Sequence, residues 1–331
     1  MTVAPSGLAT QPIGEVAQVV DHVWQLKLPV PFPLRFVSVY LVEGDDGWTL
    51  VDAGYDYPPA RAAWEAGAAT AECDLARDIV RIVVTHFHPD HIGAARWLQE
   101  RTGAPVCMMG REIPFARKLW GSSETGMFEE YLVRNGMDRP MAEEAAAVVR
   151  YALPLPEGMV PLRPGEKLPF GENAARIVHA PGHADNQILL HDEVRGILFA
   201  ADHLLLGITP NIGRWPESQP HPLARYLKSL EGMHGLGADL VLPGHGPVFH
   251  DLDGRIGELI FHHDERLETM WRAIEDGPKA PFEVSRVVFR GTLTLHQRCF
   301  ALAETLAHLD HLVLQGRAER IENEAVVFQA G

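Results

Sequence analysis

The chain has 331 residues, 46% of them hydrophobic and 22% charged, which fits one large globular domain with a smaller companion and excludes a disordered chain. Its 29 Lys/Arg against 44 Asp/Glu give a formal net charge of -15, a balance that favours solubility and opposes tracking a phosphate backbone. No apolar run is long enough to cross a membrane. The opening residues show no basic stretch followed by an apolar core, so no secretory signal is expected. Cys73, Cys107 and Cys299 lie far apart and read as reduced, buried thiols, which places the protein in the cytoplasm.

In chain order, residues 19 to 53 alternate short β-like runs with Pro and Gly-Asp punctuation, the pattern of an antiparallel meander. Residues 58 to 72 predict a helix, "DIVRIVVT" a buried strand, "HIGAARWLQERTG" a helix closed by glycine, and "PVCMMG" a short strand. From about 111 to 150 the sequence is helix-forming with one Gly/Ser break, as in a helical insertion. Strand signals return at 173 to 205 around a Gly-His turn. A long loop, "GITPNIGRWPESQPHP", precedes the helix "LARYLKSLEGMH", and "ADLVLPGHGPVF" forms the last strand and turn of this region. After His250 come three helices and a hairpin around Glu322 and Asn323, the order of a winged-helix module. No internal repeat is visible.

His86, His88, Asp90 and His91 crowd the loop after the strand "DIVRIVVT". Either this is a hydrophilic turn that happens to be rich in histidine or it is half of a metal site, since neutral imidazoles and carboxylates suit zinc, manganese or iron. In an extended loop positions 86 and 88 point the same way and can share one metal. Past the turn at Pro89, Asp90 and His91 can face a second. Four residues cannot close two coordination spheres, and three candidates stand at strand ends followed by turns: His183 in "APGHAD", Asp202 in "FAADHLL" and His245 in "LPGHGP". Pro-Gly before both histidines makes tight turns that present the imidazole. One metal would take His86, His88 and His183, and the other Asp90, His91 and His245. Asp202 would bridge them, leaving room for a shared water.

"THFHPDH", "PGH", an Asp after a strand and "PGHG", together with "LVDAG" at 50 to 54, resemble the five ordered motifs of the metallo-β-lactamase superfamily over residues 20 to 250. The resemblance implies an α/β fold, the αββα sandwich, over residues 1 to 250, with a binuclear site at one edge. It implies two divalent metal ions, zinc first and iron or manganese as alternatives, with Asp52 orienting the ligands without binding metal. The region from 251 to 331 resembles the small winged-helix-like domain of one subgroup, which includes bacterial hydrolases and a mitochondrial endoribonuclease. The intact histidine motif departs from the flavodiiron proteins. The basic glutathione-holding residues of glyoxalase II and the long exosite of the tRNA-processing nucleases are absent, and a true β-lactamase would lack this tail.

The expected chemistry is hydrolysis by a metal-bridging hydroxide, with Asp90 and Asp202 serving the reaction as well as the metals and no covalent enzyme intermediate. Residues 251 to 331 hold nine Lys/Arg and fourteen Asp/Glu, whereas a nucleic-acid reader is normally basic. A small ester, thioester or lactone is therefore the first choice of substrate. A phosphodiester, including RNA, is the alternative, followed by a non-enzymatic adaptor and by iron-dependent redox chemistry on a thiol. The tail is expected to pack on the catalytic domain, close the site or make a homodimer. Ile212, Arg214 and Trp215 are candidate substrate contacts because long loops between core elements are often functional. His179, His191, His203, His221, His234 and His250 read as surface or packing residues, and His262 and His263 as a solvated helix face.

Overall fold

The computed structural model describes residues 11–121, 125–149, 152–322 and 324–331. The expectation of no secretory signal rests partly on residues 1–10, and that of the hairpin turn on Asn323; both lie outside the described residues. The meander is β1 (Val16–Val20), β2 (Val23–Pro29), β3 (Phe36–Gly44) and β4 (Gly47–Val51), all antiparallel. After α1 (Pro58–Thr70) the sheet continues in parallel through β5 (Ile79–Val84), β6 (Val106–Met109) and β7 (Val160–Leu162). Between β5 and β6 lie α2 (Pro89–Ile92) and α3 (Ala95–Thr102). Between β6 and β7 lie the insertion helices α4 (Glu112–Trp120), α5 (Gly126–Arg134) and α6 (Arg139–Val149).

A second sheet follows, with β8 (Lys167–Phe170), β9 (Asn173–His179), β10 (Ile188–Asp192) and β11 (Ile197–Ala201) antiparallel in sequence. The crossover helix α7 (Pro222–Glu231) then brings β12 (Leu240–Pro243) parallel to β11. The sequence reading began the meander at residue 19 and so missed most of β1, and it missed β7 and β8 altogether. Each of the latter two is short, is an edge strand and contains a proline, Pro161 or Pro169. Within a strand, proline is mostly confined to edges, and there it hides the strand signal.

Period-two alternation builds the layers. In β3, Val37, Val39 and Leu41 face a core with Trp64 of α1 and Leu98 of α3. The alternate residues Tyr40 and Val42 face Phe170, Ile177 and Phe199 of the second sheet. In β11, Ile197 and Phe199 join that inter-sheet core, while Leu198 and Ala200 face the opposite way. There they meet Tyr226 of α7 and residues of the C-terminal helices. The result is a four-layer αββα sandwich.

The C-terminal region consists of α8 (Leu252–Ala273), α9 (Pro281–Val288), α10 (Leu295–Leu314) and the hairpin β13 (Ala318–Glu322) with β14 (Val326–Ala330). Asp251 caps α8 through the Gly254 amide, 2.8 Å away, and Thr294 with Gln297 forms a reciprocal capping box on α10. These helices share one continuous core with the second sheet: Leu259, Leu267, Leu309 and Phe328 cluster with Leu189 and Leu198. On its other side α10 packs Cys299 and Leu302 against Phe128, Leu132 and Ala142 of the insertion. Twelve of the twenty residues of α10 are buried, so the helix serves as a central packing element.

Candidate metal centre

The site forms where strands end. Asp52 follows β4, His86 to His91 follow β5, Asp202 follows β11 and His245 follows β12. These are the carboxyl ends of the parallel strands, where crevices in α/β sheets hold ligands. His183 arrives from the β9–β10 turn. Two non-glycine residues bordering the site are left-handed, Asp52 at φ 63° and Ala201, just before Asp202, at φ 44°. Such strain persists only where surrounding structure fixes it.

The glycines of the two Pro-Gly-His turns are needed for space as well as for turning. A Cβ on Gly244 would lie 2.3 Å from Asp202 Oδ1 and 2.9 Å from His91 Cε1. One on Gly182, at φ 143°, would meet the Tyr226 side chain at 2.5 Å.

All seven residues named from the sequence come together, in three overlapping groups: His86, His88 and His183; His86, His91 and Asp202; and Asp90, His91 and His245. Asp202 lies between the two sets. Its Oδ1 is 3.4 Å from His91 Nε2, and its Oδ2 is 3.4 Å from both His183 Nε2 and His245 Nε2. Asp90 Oδ2 is 3.2 Å from His245 Nε2.

The outward nitrogens are tied down. His91 Nδ1 lies 2.8 Å from Asp52 Oδ2, His183 Nδ1 2.9 Å from the Asn211 carbonyl, and His245 Nδ1 2.8 Å from the Phe36 carbonyl. Thr85 Oγ1 lies 3.0 Å from His86 Nδ1 and donates to Asp52 Oδ2 at 2.9 Å, while the Thr85 amide donates to Asp52 Oδ1 at 2.8 Å. A carbonyl or carboxylate at Nδ1 fixes the tautomer and leaves Nε2 as the electron-pair donor. His88 differs, turning Nδ1 to within 3.1 Å of His86 Nε2.

Divalent cations fit this donor set. The Nε2 atoms of His91, His183 and His245 and Oδ1 of Asp202 are buried without a hydrogen-bond partner. Buried polar atoms are normally satisfied, and four such atoms facing a shared centre suit a cation. The electrostatics agree. Burial and neighbouring imidazoles push His86 well below the usual histidine range, and burial takes His88 down to about 3. Burial would also lower His91 and His245, but carboxylates override it. Asp202, Asp52 and Asp90 raise His91, and Asp202 and Asp90 raise His245 to about 10. Against the burial penalty, His91 and His245 hold Asp90 down to about 2. The carboxylates that raise these two imidazoles are the same groups whose charge a bound cation would offset.

Residues missed from sequence surround the centre. Asn211 and Phe36 act through backbone carbonyls, which no side-chain pattern announces. Glu112 of α4 is fully buried, its carboxyl pushed up to about 7, chiefly by burial, beside Asn186 and the Phe87 amide. His296, at the start of α10, is lowered by burial against the pull of Asp90, and it stacks on Phe32 with ring centroids 6.2 Å apart. The capping box at Thr294 was the available signal for where α10 begins.

Of the loop candidates, Ile212 needs correction: it is fully buried in the core between the second sheet and the helices, so it presents no surface to a substrate. Arg214 faces Asp310 at 3.7 Å, and Trp215 stacks on Phe128 and lies edge-on to Phe300. Both residues link the insertion to α10 and remain half-buried. His263 is also corrected: it is buried, with Nδ1 3.0 Å from His308 Nε2. The one-face pattern of α8 was misread because α10 covers that side.

A four-layer sandwich gathering imidazoles and carboxylates at one sheet edge, in this chain order, defines a metallo-hydrolase class of protein. The chain belongs to the metallo-beta-lactamase superfamily, whose family description matches residues 32–245. Residues 267–329 match the metallo-beta-lactamase-like C-terminal domain. Its relatives include the probable metallo-hydrolase YqjP of Bacillus subtilis, 26% identical over 299 residues, covering 88% of this chain and 92% of that one. Among solved structures it is similar to a metallo-beta-lactamase family protein from Thermus thermophilus, with TM-score 0.84, 31% identity and coverage of 95% and 100%. A beta-lactamase domain protein from Burkholderia ambifaria matches with TM-score 0.87, 29% identity and coverage of 98% and 97%.

Proposed function

We propose that this protein is a hydrolase using two divalent cations, zinc foremost, on a small ester, thioester or lactone. The observation that carries the reading is the position of Asp202, within 3.4 Å of His183 on one side and of His91 and His245 on the other. A carboxylate so placed can serve two cations at once. His86, His88 and His183 would hold the first, and Asp90, His91 and His245 the second. When bound, such a pair supplies an acidified water and a Lewis acid for the developing oxyanion.

The chain's own residues do the rest. Asp52 and Thr85 hold His91 and His86 in the required tautomers, and the Asn211 and Phe36 carbonyls do so for His183 and His245. Asp90, besides holding metal, would orient the attacking water or take its proton. Phe32, Tyr55, His296 and Phe300 form a run of contacting rings, of which His296 feels the charge of Asp90, with Phe32 and Tyr55 centroids 5.0 Å apart and His296 and Phe300 4.7 Å apart. An aromatic wall of this kind suits an apolar acyl or alkoxy group better than a polyanion.

Burial of α10 weighs against the adaptor reading, since a helix that reads DNA must be free to enter a groove. We assign the C-terminal unit to bracing the site. Among the described residues, no helix is long and apolar enough to span a membrane. The deciding experiment assays metal-analysed protein on aryl and short-chain esters, thioesters, lactones and single-stranded RNA. Turnover of the acyl substrates with RNA left intact supports the proposal. Efficient RNA cleavage at about 0.15 M salt, with ester turnover no better than free zinc, installs the phosphodiesterase reading in its place.

A further inference from the structure

The β11–α7 loop does not hang free over the metal edge; α10 pins it. The Arg214 amide donates to the Ala303 carbonyl at 2.9 Å. The Asn211 side-chain amide donates to Glu304 Oε2 at 2.8 Å and lies 3.4 Å from the Phe300 carbonyl. Positions 300, 303 and 304 are one turn apart and share a helix face. On its other side, Asn211 offers its backbone carbonyl to His183 Nδ1. A continuous chain of hydrogen bonds therefore runs from the C-terminal helix to an imidazole at the centre.

Glu304 is conspicuous in that chain. It is only 8% exposed on a helix packed on both sides, and burial pushes its carboxyl up to about 7. Carboxyl groups are rarely buried unless paired, and an aliphatic residue would pack there without a desolvation penalty. What glutamate adds is an acceptor for the Asn211 amide, which fixes the backbone that aims His183.

We propose that Glu304 is a positioning residue that acts through Asn211 on His183, so that the C-terminal helix sets the geometry of the metal centre. This inference rests on reading His183 as a ligand. Loss of an outer hydrogen-bond partner of a liganding histidine typically weakens metal affinity by roughly 10–100-fold.

The test compares full-length wild type, Glu304→Leu, Glu304→Gln and His183→Ala. Zinc affinity is read by chelator competition, cobalt(II) coordination by its visible absorption spectrum, and folding by thermal melting. Glu304→Leu should weaken the more labile zinc by roughly 10–100-fold and alter the cobalt spectrum. Glu304→Gln, which keeps an acceptor, should restore both. Where Glu304→Leu fails to fold, Asn211→Ala replaces it; that variant removes the bridging amide and should give the same affinity loss and spectral change. A folded Glu304→Leu or Asn211→Ala protein with wild-type zinc affinity and cobalt spectrum overturns the proposal, even if its melting temperature falls. His183→Ala separates the two levels. If it retains full metal content, the ligand reading itself fails; if it loses metal while the Glu304 variants do not, only the relay fails.

Discussion

Among the described residues, two buried histidine clusters differ in their neighbours. At the sheet edge, His86, His91, His183 and His245 are interleaved with Asp52, Asp90 and Asp202, and three of their Nε2 atoms lack a hydrogen-bond partner. Between α8 and α10, His263 pairs with His308, whose Nδ1 donates to the Glu304 backbone carbonyl; His263 Nε2 is likewise buried without a partner, so orphaned nitrogens do not separate the clusters, but carboxylates do. Burial drives His263 and His308 down, to about 2 and about 3. Without an acid against the rings, they are neutral packing groups joined to each other. Histidine density alone does not make a metal site; carboxylates that offset cationic charge do.

The sharpest way to break this comparison is Asp202→Ala. Removing the carboxylate common to both groups should abolish hydrolysis and strip metal from the centre. His308→Gln, in the other cluster, should leave metal content unchanged. Equal metal loss in the two variants would erase the distinction. His203, adjacent to Asp202, sharpens it further: it is fully buried, with Nε2 3.2 Å from Ser229 Oγ. His203→Ala should cost about 1–3 kcal/mol of stability while metal content stays at the wild-type level, as melting and elemental analysis would show.

Asp52→Ala comes next in size. It removes the partner of His91 Nδ1 and of Thr85, so zinc affinity should fall by roughly 10–100-fold in chelator competition. An unchanged affinity would mean that the tautomer of His91 is set elsewhere.

The smallest effects concern protons, and His245 should respond oppositely to His263 and His308. In metal-free protein His245 is raised to about 10 from an ordinary value of 6.5. Its contribution to stability is present below about pH 6.5 and is lost as pH rises through about 10. His263 and His308 are lowered, so they resist protonation in the folded state and destabilise it as pH falls below about 6.5. Between pH 7 and 5, the melting temperature of metal-free wild type should therefore drop more than that of His308→Gln. Parallel curves would remove His308 from the account. Zinc binding near pH 7 should release protons, up to about two per chain, from His91 and His245. Calorimetry in buffers of different ionisation enthalpy measures this.

Much of the centre was legible because its chemistry sits in contiguous motifs. "HFHPDH" reports its own members of the cluster, and Pro-Gly before His183 and His245 marks turns that the backbone then makes. The meander and β10 to β12 were legible as short apolar, β-branched runs set off by Gly, Pro and Asp. What escaped was whatever depends on tertiary neighbours. Carbonyls of Phe36 and Asn211 have no side-chain signature. The buried face of His263 became apparent only when α10 covered it, and Ile212 could not be told from a pocket wall until the helices closed over it. Glu112 and Glu304 carry no local mark that separates them from helix-surface acids, since nothing in the sequence around them says that a helix is packed on both sides.

The central claim is that seven side chains at one sheet edge hold two divalent cations. Elemental analysis of protein purified without chelator tests it most directly. The account predicts about two transition-metal equivalents per chain, falling in Asp202→Ala and unchanged in His308→Gln. Metal-free protein that also fails to take up added zinc would contradict it.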